Sequence, residues 1–225
     1  MAGWITGLYH HRIISRLMHT PAYLIARHLK DCYSVLDLGC GPDSLIQFGK
    51  AGYSVGVDIF APFIQESKKK NIHNRYILAD ISSIDFKPKS FDAVLLIEAL
   101  EHLDKGQGEA LLEKIESWAI KKVIISCPNG FLPQDALSGN PFQVHRSGWS
   151  VAELTCRGYK AYGISGWKFL RKDNTAEGYG SSGEAIFSTI RFRPRLFWVL
   201  FSGLTQLAAF YLPKAAYEVF YVKEL

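Results

Sequence analysis

Residues 34–43 read Ser-Val-Leu-Asp-Leu-Gly-Cys-Gly-Pro-Asp, a short apolar run that is closed by two glycines. An apolar run of this length before glycine predicts a buried strand followed by a tight turn. Glycine lets the backbone turn sharply and come close to a ligand, so the turn at Gly39 and Gly41 is a candidate binding loop. Two such glycines are weak support by themselves, and the fold is decided by what surrounds them.

Apolar runs and helical periodicities alternate along the rest of the chain. Further strands are predicted at 53–58, 76–78, 91–97, 122–126, 159–165 and 218–222, and helices over 5–30 (broken near Pro21), 43–51, 61–71, 105–119 and 151–157. Such alternation is typical of βαβ units. We therefore predict a Rossmann-like α/β fold, with a seven-stranded, mostly parallel sheet, helices on both of its faces, and helical additions at both ends.

The length and composition suit one globular domain. The chain has 225 residues, of which 48% are hydrophobic and 21% charged, which excludes a disordered chain, a collagen and a coiled coil. We predict a single domain over 1–225. It comprises a helical extension at 1–31, a binding core at 32–170, and a mobile loop, an apolar helix and a last strand within 171–225.

Acidic residues stand at three successive strand ends. Asp58 ends the second strand, 21 residues after Asp37, where an acid can accept hydrogen bonds from both hydroxyls of a ribose. Asp80 follows the third strand, where an acid can accept from an adenine amino group. Acids are also favoured as helix N-caps, which is the alternative for each residue alone. The three together favour a nucleoside site.

The glycine turn departs from the GxGxxG pattern that binds a pyrophosphate, because Pro42, Asp43 and Ser44 follow Gly41. An anionic Asp43 repels a pyrophosphate, whereas a sulfonium nucleoside carries a positive charge and no phosphate. The charges therefore favour a sulfonium nucleoside. An NAD-dependent enzyme is the lower-ranked alternative.

With these motifs the chain resembles the class I S-adenosylmethionine-dependent methyltransferases, in the methyltransferase type 11-like branch. The resemblance covers about residues 33–165 and rests on the motifs at 35–41, 56–58, 79–81, 91–103 and 126–130. The chain departs from the family pattern at Asp43, where a third glycine is frequent.

The resemblance implies S-adenosylmethionine as the cofactor and displacement of its methyl group by an oxygen, nitrogen or carbon of an acceptor. It also implies the residues that bind the cofactor. These are Asp37, Gly39, Cys40 and Gly41 around the methionine part, Asp58 at the ribose, Ile59 on the adenine, Asp80 and Ile81 along the adenine edge, and Glu98 on the methionine side.

Two histidines are candidate catalytic bases, and Glu98 is a third candidate. His102 follows the fourth strand, near the expected methyl group, and His145 lies in the aromatic and polar loop 140–149. Histidine titrates near neutral pH, so either residue suits this role. A structural histidine packed in its loop is the alternative for both.

We expect no metal site, no disulfide and no nucleic-acid acceptor. Cys32, Cys40, Cys127 and Cys156 form no CxxC pair, which indicates free, mostly buried thiols in a reducing compartment. The sequence has no Asp-Asp-Asn set for magnesium, and the pair His10-His11 is expected to be exposed. Neither an Asn-Pro-Pro-Tyr nor an Asp-Pro-Pro-Tyr motif follows the fourth strand, which weighs against methylation of DNA adenine or protein glutamine.

The two ends carry the formal net charge of +5, since residues 1–31 and 191–225 are each +3 and the middle of the chain is −1. Behind Arg191, Arg193 and Arg195, residues 196–212 form an uncharged apolar run of 17 residues. A spanning helix needs about 20. The alternatives are a helix lying on a membrane surface, a lid over an apolar acceptor, and a helix packed on residues 5–30 or on a second subunit of a homodimer.

These patterns predict a methyltransferase that acts on a small-molecule acceptor or on one linked to a lipid or glycan. The start of the sequence lacks a signal-peptide pattern, so we expect a cytoplasmic protein, or one peripheral at the inner face of the membrane. A cofactor-binding module without catalysis, acting on a partner through its apolar ends, is the alternative.

Overall fold

A computed structural model of the chain describes residues 12–136, 139–172 and 189–225. Within them one sheet contains β1 (Ser34–Leu38), β2 (Tyr53–Asp58), β3 (Arg75–Leu78), β4 (Phe91–Ile97), β5 (Ala119–Pro128), β6 (Lys160–Trp167) and β7 (Ala216–Glu224). The strand order is β3-β2-β1-β4-β5-β7-β6. Only β7 runs antiparallel to its neighbours, β5 and β6. The predicted seven-stranded, mostly parallel sheet is confirmed.

The helices of the described residues are α1 (Arg12–Leu17), α2 (Pro21–His28), α3 (Ala61–Lys69), α4 (Lys105–Trp118), α5 (Val151–Cys156) and α6 (Arg195–Tyr211). The helical additions at both ends are thus confirmed. The predicted break near Pro21 is also present, since Thr20 caps α2 and its Oγ1 accepts a hydrogen bond from the N–H of Tyr23 at 3.4 Å. Residues 5–11 of the first predicted helix, and residues 173–185 of the predicted mobile loop, lie outside the described residues.

The helix predicted over 43–51 is wrong. Only a 3₁₀ turn, Leu45–Phe48, forms there, started by Ser44, whose Oγ accepts from the N–H of Ile46 at 3.1 Å. Leu29 packs so closely on Gly49 that a Cβ at Gly49 would lie 2.8 Å from the Leu29 Cδ1. The turn ends at Gly49, which is already extended (φ −82°, ψ 166°) and whose N–H donates to the carbonyl of Ile46 at 2.8 Å.

Apolar side chains cover both faces of the sheet. On one face α4 and α5 contribute Leu111, Leu112, Ile115, Trp118, Val151 and Leu154. On the other face α2 and Leu29 pack with strand residues and with Phe210 of α6. Both terminal additions therefore share a core with the sheet. The four thiols are free and three of them are buried, as expected, while Cys156 is exposed.

Helix α6 buries three polar side chains and exposes a row of large apolar ones. Ser202, Thr205 and Gln206 are buried against β6. The exposed side carries an apolar stripe, which we define as Phe197, Leu200, Leu204, Leu207 and Tyr211, each 43–72% exposed. No helix in the described part of the chain is long and apolar enough to cross a membrane.

The inward polar residues satisfy an irregular stretch of β6, whose pairing with β7 shifts between Ile164 and Trp167. The Gln206 amide accepts from the N–H of Gly166 at 3.0 Å and donates to the carbonyl of Gly163 at 3.2 Å. The Thr205 hydroxyl accepts from the N–H of Trp167 at 3.1 Å. Buried backbone groups need such partners, which explains a polar face in this position.

Candidate active site

A cleft opens at the carboxyl ends of the parallel strands, where open α/β sheets bind their ligands. The lining residues are Gly39, Gly41, Asp58, Ile59, Phe63, Asp80, Ile81, Ser82, Glu98, Ala99, His102, Leu103, Gln107, Asn140, Phe142, Gln143 and Arg146. They include most of the predicted site residues. Three others, Asp37, Cys40 and His145, lie behind the wall.

The glycine turn forms one wall of the cleft. Gly39 and Gly41 both have positive φ, at 67° and 57°, a conformation that side chains with a Cβ rarely adopt. A Cβ on Gly39 would lie 2.6 Å from the Cβ of Ala99, whereas a Cβ on Gly41 would meet nothing within 4 Å. Gly39 is therefore needed for packing, and Gly41 leaves the cleft open.

The Asp58 carboxyl joins the end of β2 to the glycine turn. Its Oδ2 accepts from the N–H of Gly41 at 2.9 Å, and its Oδ1 accepts from the N–H of Phe60 at 2.8 Å. Burial raises the pKa of Asp58, against the lowering effect of these hydrogen bonds. Each carboxylate oxygen retains a further lone pair on the cleft side for a hydroxyl donor.

Asp37 is the centre of a buried polar group and does not reach the cleft. It is 1% exposed. Its Oδ2 accepts from the Ser44 hydroxyl and lies 2.9 Å from Nε2 of His73. Cys40 is buried beside this group, where burial raises the pKa of its thiol. Both residues support the glycine turn from behind.

The opposite wall is partly apolar. Ile59, Phe63 and Ile81 face the cleft from the segments that follow β2 and β3. Asp80 is held in place by an Asx turn, because its Oδ1 accepts from the N–H of Ser82 at 2.8 Å. These residues give this part of the cleft an apolar lining next to the carboxyl group of Asp80.

Three carboxyl groups interact at the inner end of the cleft. Glu98 follows β4 with a positive φ of 48°, and its Oε1 accepts from the Ser126 hydroxyl at 2.6 Å. Burial raises the pKa of Glu98, Glu101 and Glu218, to about 8 for Glu101, and the charge of Glu218 raises those of the other two further. Burial and mutual repulsion therefore favour the protonated form of these acids, while the nearby charge of Arg171 acts in the opposite direction on Glu218.

The two predicted histidines are neighbours, with ring centroids 4.9 Å apart. His102 lines the cleft, and its Nδ1 lies 3.2 Å from the carbonyl oxygen of Val144. His145 is only 9% exposed, and its Nδ1 lies 2.6 Å from the carbonyl oxygen of Leu132. Burial lowers the pKa of both, to about 4 for His102, where the neighbouring His145 lowers it further. Both rings are therefore neutral at pH 7.

Asp43, which the sequence argument placed beside the ligand, does not line the cleft. It is exposed and pairs with Lys70 at 2.7 Å. The acidic residues that line the cleft are Asp58, Asp80 and Glu98, and Arg146 lines it as well. Burial favours the protonated form of Glu98, so the preference for a cationic ligand over a pyrophosphate rests mainly on Asp58 and Asp80.

Sequence reasoning missed a group of lining residues in the loop between β5 and α5, namely Asn140, Phe142, Gln143 and Arg146. The backbone N–H groups of Arg146 and Ser147 donate to the carbonyl of Glu101 at 2.8 and 3.1 Å, which holds this loop over the cleft. The aromatic and polar composition of 140–149 was the available signal. Which of its side chains face the cleft depends on the course of the loop, which no local periodicity encodes.

Comparisons with known proteins agree with this arrangement. Residues 36–120 match the family described as a methyltransferase domain. The chain is 34% identical over 110 residues to (S)-coclaurine N-methyltransferase of Thalictrum flavum subsp. glaucum, which covers 44% of this chain and 29% of that protein. It is 39% identical over 79 residues to the 18S rRNA (guanine-N(7))-methyltransferase of Bos taurus, covering 33% and 27%. The chain thus spans less than a third of the length of either relative.

The fold as a whole is similar to the crystal structure of a SAM-dependent methyltransferase from Archaeoglobus fulgidus. The TM-score is 0.52 at 16% identity, over 96% of this chain and all of the other. At this identity the likeness concerns the fold alone.

Proposed function

Because residues 36–120 match a methyltransferase-domain family, we propose that this protein is a class I S-adenosylmethionine-dependent methyltransferase of the type 11 branch and transfers the methyl group of S-adenosylmethionine. The observation that carries the proposal is the convergence of Gly41, Asp58, Asp80 and Glu98 on one cleft. The acids stand at successive strand ends, as a nucleoside with a cationic sulfonium requires. The acceptor is a small molecule or a group linked to a lipid or glycan.

Each part of the cofactor has a proposed partner. Asp58 takes the ribose hydroxyls, and Asp80 and Ile81 take the adenine edge, with Ile59 packed on the ring. Gly39, Gly41 and Glu98 hold the methionine part. Asp37 and Cys40, which are buried behind the turn, act as positioning residues.

His102 and His145 are the proposed catalytic residues on the acceptor side, since His102 lines the cleft and His145 stands beside it. Positioning supplies much of the catalysis of methyl transfer, and a proton acceptor is needed only for a protonated nucleophile. We expect His145→Ala to lower the turnover rate and to leave cofactor affinity unchanged. Wild-type turnover in this variant would rule out its catalytic role.

Calorimetric titration of S-adenosylmethionine, S-adenosylhomocysteine and NAD tests the cofactor proposal. We expect the first two to bind the wild type. Asp58→Asn should bind them at least 10-fold more weakly, because its amide N–H₂ would face the N–H of either Gly41 or Phe60 and would leave one acceptor fewer for the ribose. Asp43→Asn is the matched control, since Asp43 pairs with Lys70 outside the cleft, and it should bind as the wild type does.

The other outcomes of this titration contradict the proposal. Binding of NAD alone would favour a dinucleotide enzyme. Binding of no nucleotide would favour the non-catalytic module. If cofactor binds, release of S-adenosylhomocysteine is followed with polyprenyl and glycan acceptors. Release driven only by RNA would overturn the small-molecule acceptor, an outcome to which the rRNA-methylating relative draws attention.

We further propose that the apolar stripe of α6 lies on an anionic lipid surface at the cytoplasmic face of a membrane. Arg191, Arg193 and Lys214 are exposed at the two ends of the stripe, and apolar residues flanked by cations suit such a surface. None of the residues that line the cleft comes from 196–212, which disfavours a lid. The inner side of α6 packs on β6 and, through Phe210, on His19 at a centroid distance of 4.2 Å.

Co-sedimentation with vesicles containing phosphatidylserine tests the lipid proposal. We expect binding at low salt, release at high salt, and loss of binding in Leu200→Gln/Leu204→Gln. Absence of binding at low salt would contradict the proposal. So would a homodimer in sedimentation velocity that the same double variant dissociates, because the stripe would then bind a second copy.

A further inference from the structure

Three potential metal ligands meet beside the cleft. Glu101 and His102 belong to the 3₁₀ turn Leu100–His102 that follows β4, and His145 comes from the loop after β5. One carboxylate oxygen and one nitrogen from each imidazole lie within 4.8 Å of one another. The loop that carries His145 is fixed on this turn by the hydrogen bonds to the Glu101 carbonyl.

Glu101 is the least satisfied group of the three. It is 2% exposed, and its Oε2 has no hydrogen-bond partner. Within the described residues no hydrogen bond or ion pair joins its carboxylate to either imidazole. The Glu101 carboxyl shares a side-chain hydrogen bond with Glu98, but a buried polar oxygen without a partner is costly, so Oε2 calls for a compensating group.

Both imidazoles present the nitrogen that binds metals. A carbonyl oxygen only accepts, so the contacts with Val144 and Leu132 place the proton of each ring on Nδ1. Nε2 of each ring then carries a free lone pair. Metal-binding histidines are commonly oriented in this way, with the second nitrogen donating to a backbone carbonyl.

We propose that Glu101, His102 and His145 bind one divalent first-row transition-metal ion, such as Mn²⁺, Co²⁺ or Zn²⁺. Two imidazoles and one carboxylate suit these ions, whereas Mg²⁺ and Ca²⁺ prefer sites built of oxygen. Bonds of about 2.1 Å place neighbouring ligand atoms about 3.0–3.4 Å apart at octahedral or tetrahedral angles. Ligand atoms that lie up to 4.8 Å apart would therefore approach one another by up to about 1.4–1.8 Å when the ion binds. This proposal departs from the absence of a metal site expected from the sequence, where His145 lies 43 residues after His102 and nothing indicates that the two meet.

The position of the site indicates its use, which rests on the proposed methyl transfer. His102 lines the cleft, so an ion held by this residue would be within reach of an acceptor hydroxyl. Such an ion would ease the loss of the hydroxyl proton to solvent. The hydroxyl oxygen then forms a bond to the methyl carbon as the carbon–sulfur bond breaks, and the sulfonium keeps the electron pair as a thioether. The proposed acceptor nucleophile is thus an oxygen.

Metal titration of the tag-free, chelator-treated chain tests the site. We expect one equivalent of Co²⁺ to bind, followed by visible absorption, and Mn²⁺ to show nitrogen hyperfine coupling from two imidazoles. Glu101→Gln, which preserves the shape of the side chain, and His145→Gln should each weaken binding at least 10-fold. His28→Gln is the matched control at a histidine far from the site, and it should bind as the wild type does.

Two results would overturn the metal proposal. One is the absence of stoichiometric binding, or of nitrogen coupling, in the wild type, a measurement that does not depend on the folding of any variant. The other is binding that His10→Ala/His11→Ala removes, because the metal would then sit at that pair. S-adenosylmethionine titrations of the same samples separate the two proposals. Cofactor binding without metal binding refutes the metal site alone, and metal binding without cofactor binding refutes the methyl transfer.

Discussion

Gly39 and Gly41 both have a positive φ, but substitution should affect packing at Gly39 and the cleft at Gly41. We expect Gly39→Ala to lower the free energy of unfolding by about 3 kcal/mol, because its Cβ would clash with Ala99 and its φ would be strained. Gly41→Ala meets no atom, so it should cost only about 1 kcal/mol. Its methyl group would narrow the cleft and weaken cofactor binding. Urea unfolding and calorimetry separate the two effects, and equal stability losses would contradict this distinction.

His28 is expected to make stability depend on pH. Its ring packs near Tyr162 and Phe220, and burial, followed by the charges of Arg27 and Lys122, lowers its pKa to about 4. Between this value and the unfolded value of about 6.5 the unfolded chain binds the extra proton. Stability therefore rises with pH across that window and falls on acidification.

Urea unfolding at pH 4.5 and 7 measures this effect. With its partial exposure discounted, His28 should contribute about 1–2 kcal/mol to the difference in unfolding free energy between the two pH values. His28→Gln should reduce that difference by the same amount. An unchanged difference in the variant would show that other groups set the acid sensitivity.

The strand-end residues were predictable from sequence because parallel strands bring their carboxyl ends to one edge. Asp58, Asp80 and Glu98 line the cleft for that reason. Asp37 shares their sequence context but turns inward to Ser44 and His73. Nothing in the chain pattern marks His73 as its partner, since the contact is tertiary. The proposed meeting of Glu101 with His145 depends in the same way on the path of a loop.

At the scale of elements, periodicity predicted strands well and short helices less well. The segment 43–51 was predicted to be a helix, yet only a 3₁₀ turn forms there, because the backbone is extended again at Gly49 and the next strand begins at Tyr53. The apolar run 196–212 was predicted to be helical, and it is, but its orientation was not predictable. The polar face is buried because an irregular strand needs hydrogen-bond partners.

In helix α6, an apolar substitution at a buried position should destabilise the protein, and a polar substitution at an exposed position should not. Gln206→Leu, an apolar residue at a buried position, should lower the free energy of unfolding by about 2–4 kcal/mol. The N–H of Gly166 and the carbonyl of Gly163 would lose their partner. Leu204→Gln, at a position that is 69% exposed, should change stability by less than about 0.5 kcal/mol. Chemical denaturation of the pair checks this, and a stabilised Gln206→Leu would refute the bonding role.

For the whole molecule, the shared core predicts cooperative unfolding of the predicted single domain. Leu24 and Ile25 of α2, Leu95 of β4 and Phe210 of α6 pack in one cluster. We expect far-ultraviolet circular dichroism and tryptophan fluorescence to report the same thermal transition. An earlier, separate transition would mean that a terminal addition unfolds independently.

The place of β7 in the sheet has a consequence for synthesis on the ribosome. Residues 216–224 lie between β5 and β6, so β6 has no strand partner until residue 224 has left the exit tunnel. During that interval the nascent chain exposes the edges of β5 and β6 and the apolar underside of the sheet, a condition that favours aggregation and chaperone capture. Slow codons shortly before residue 216 would prolong this exposure. A gene recoded with slow codons at these positions should therefore give a lower yield of soluble protein.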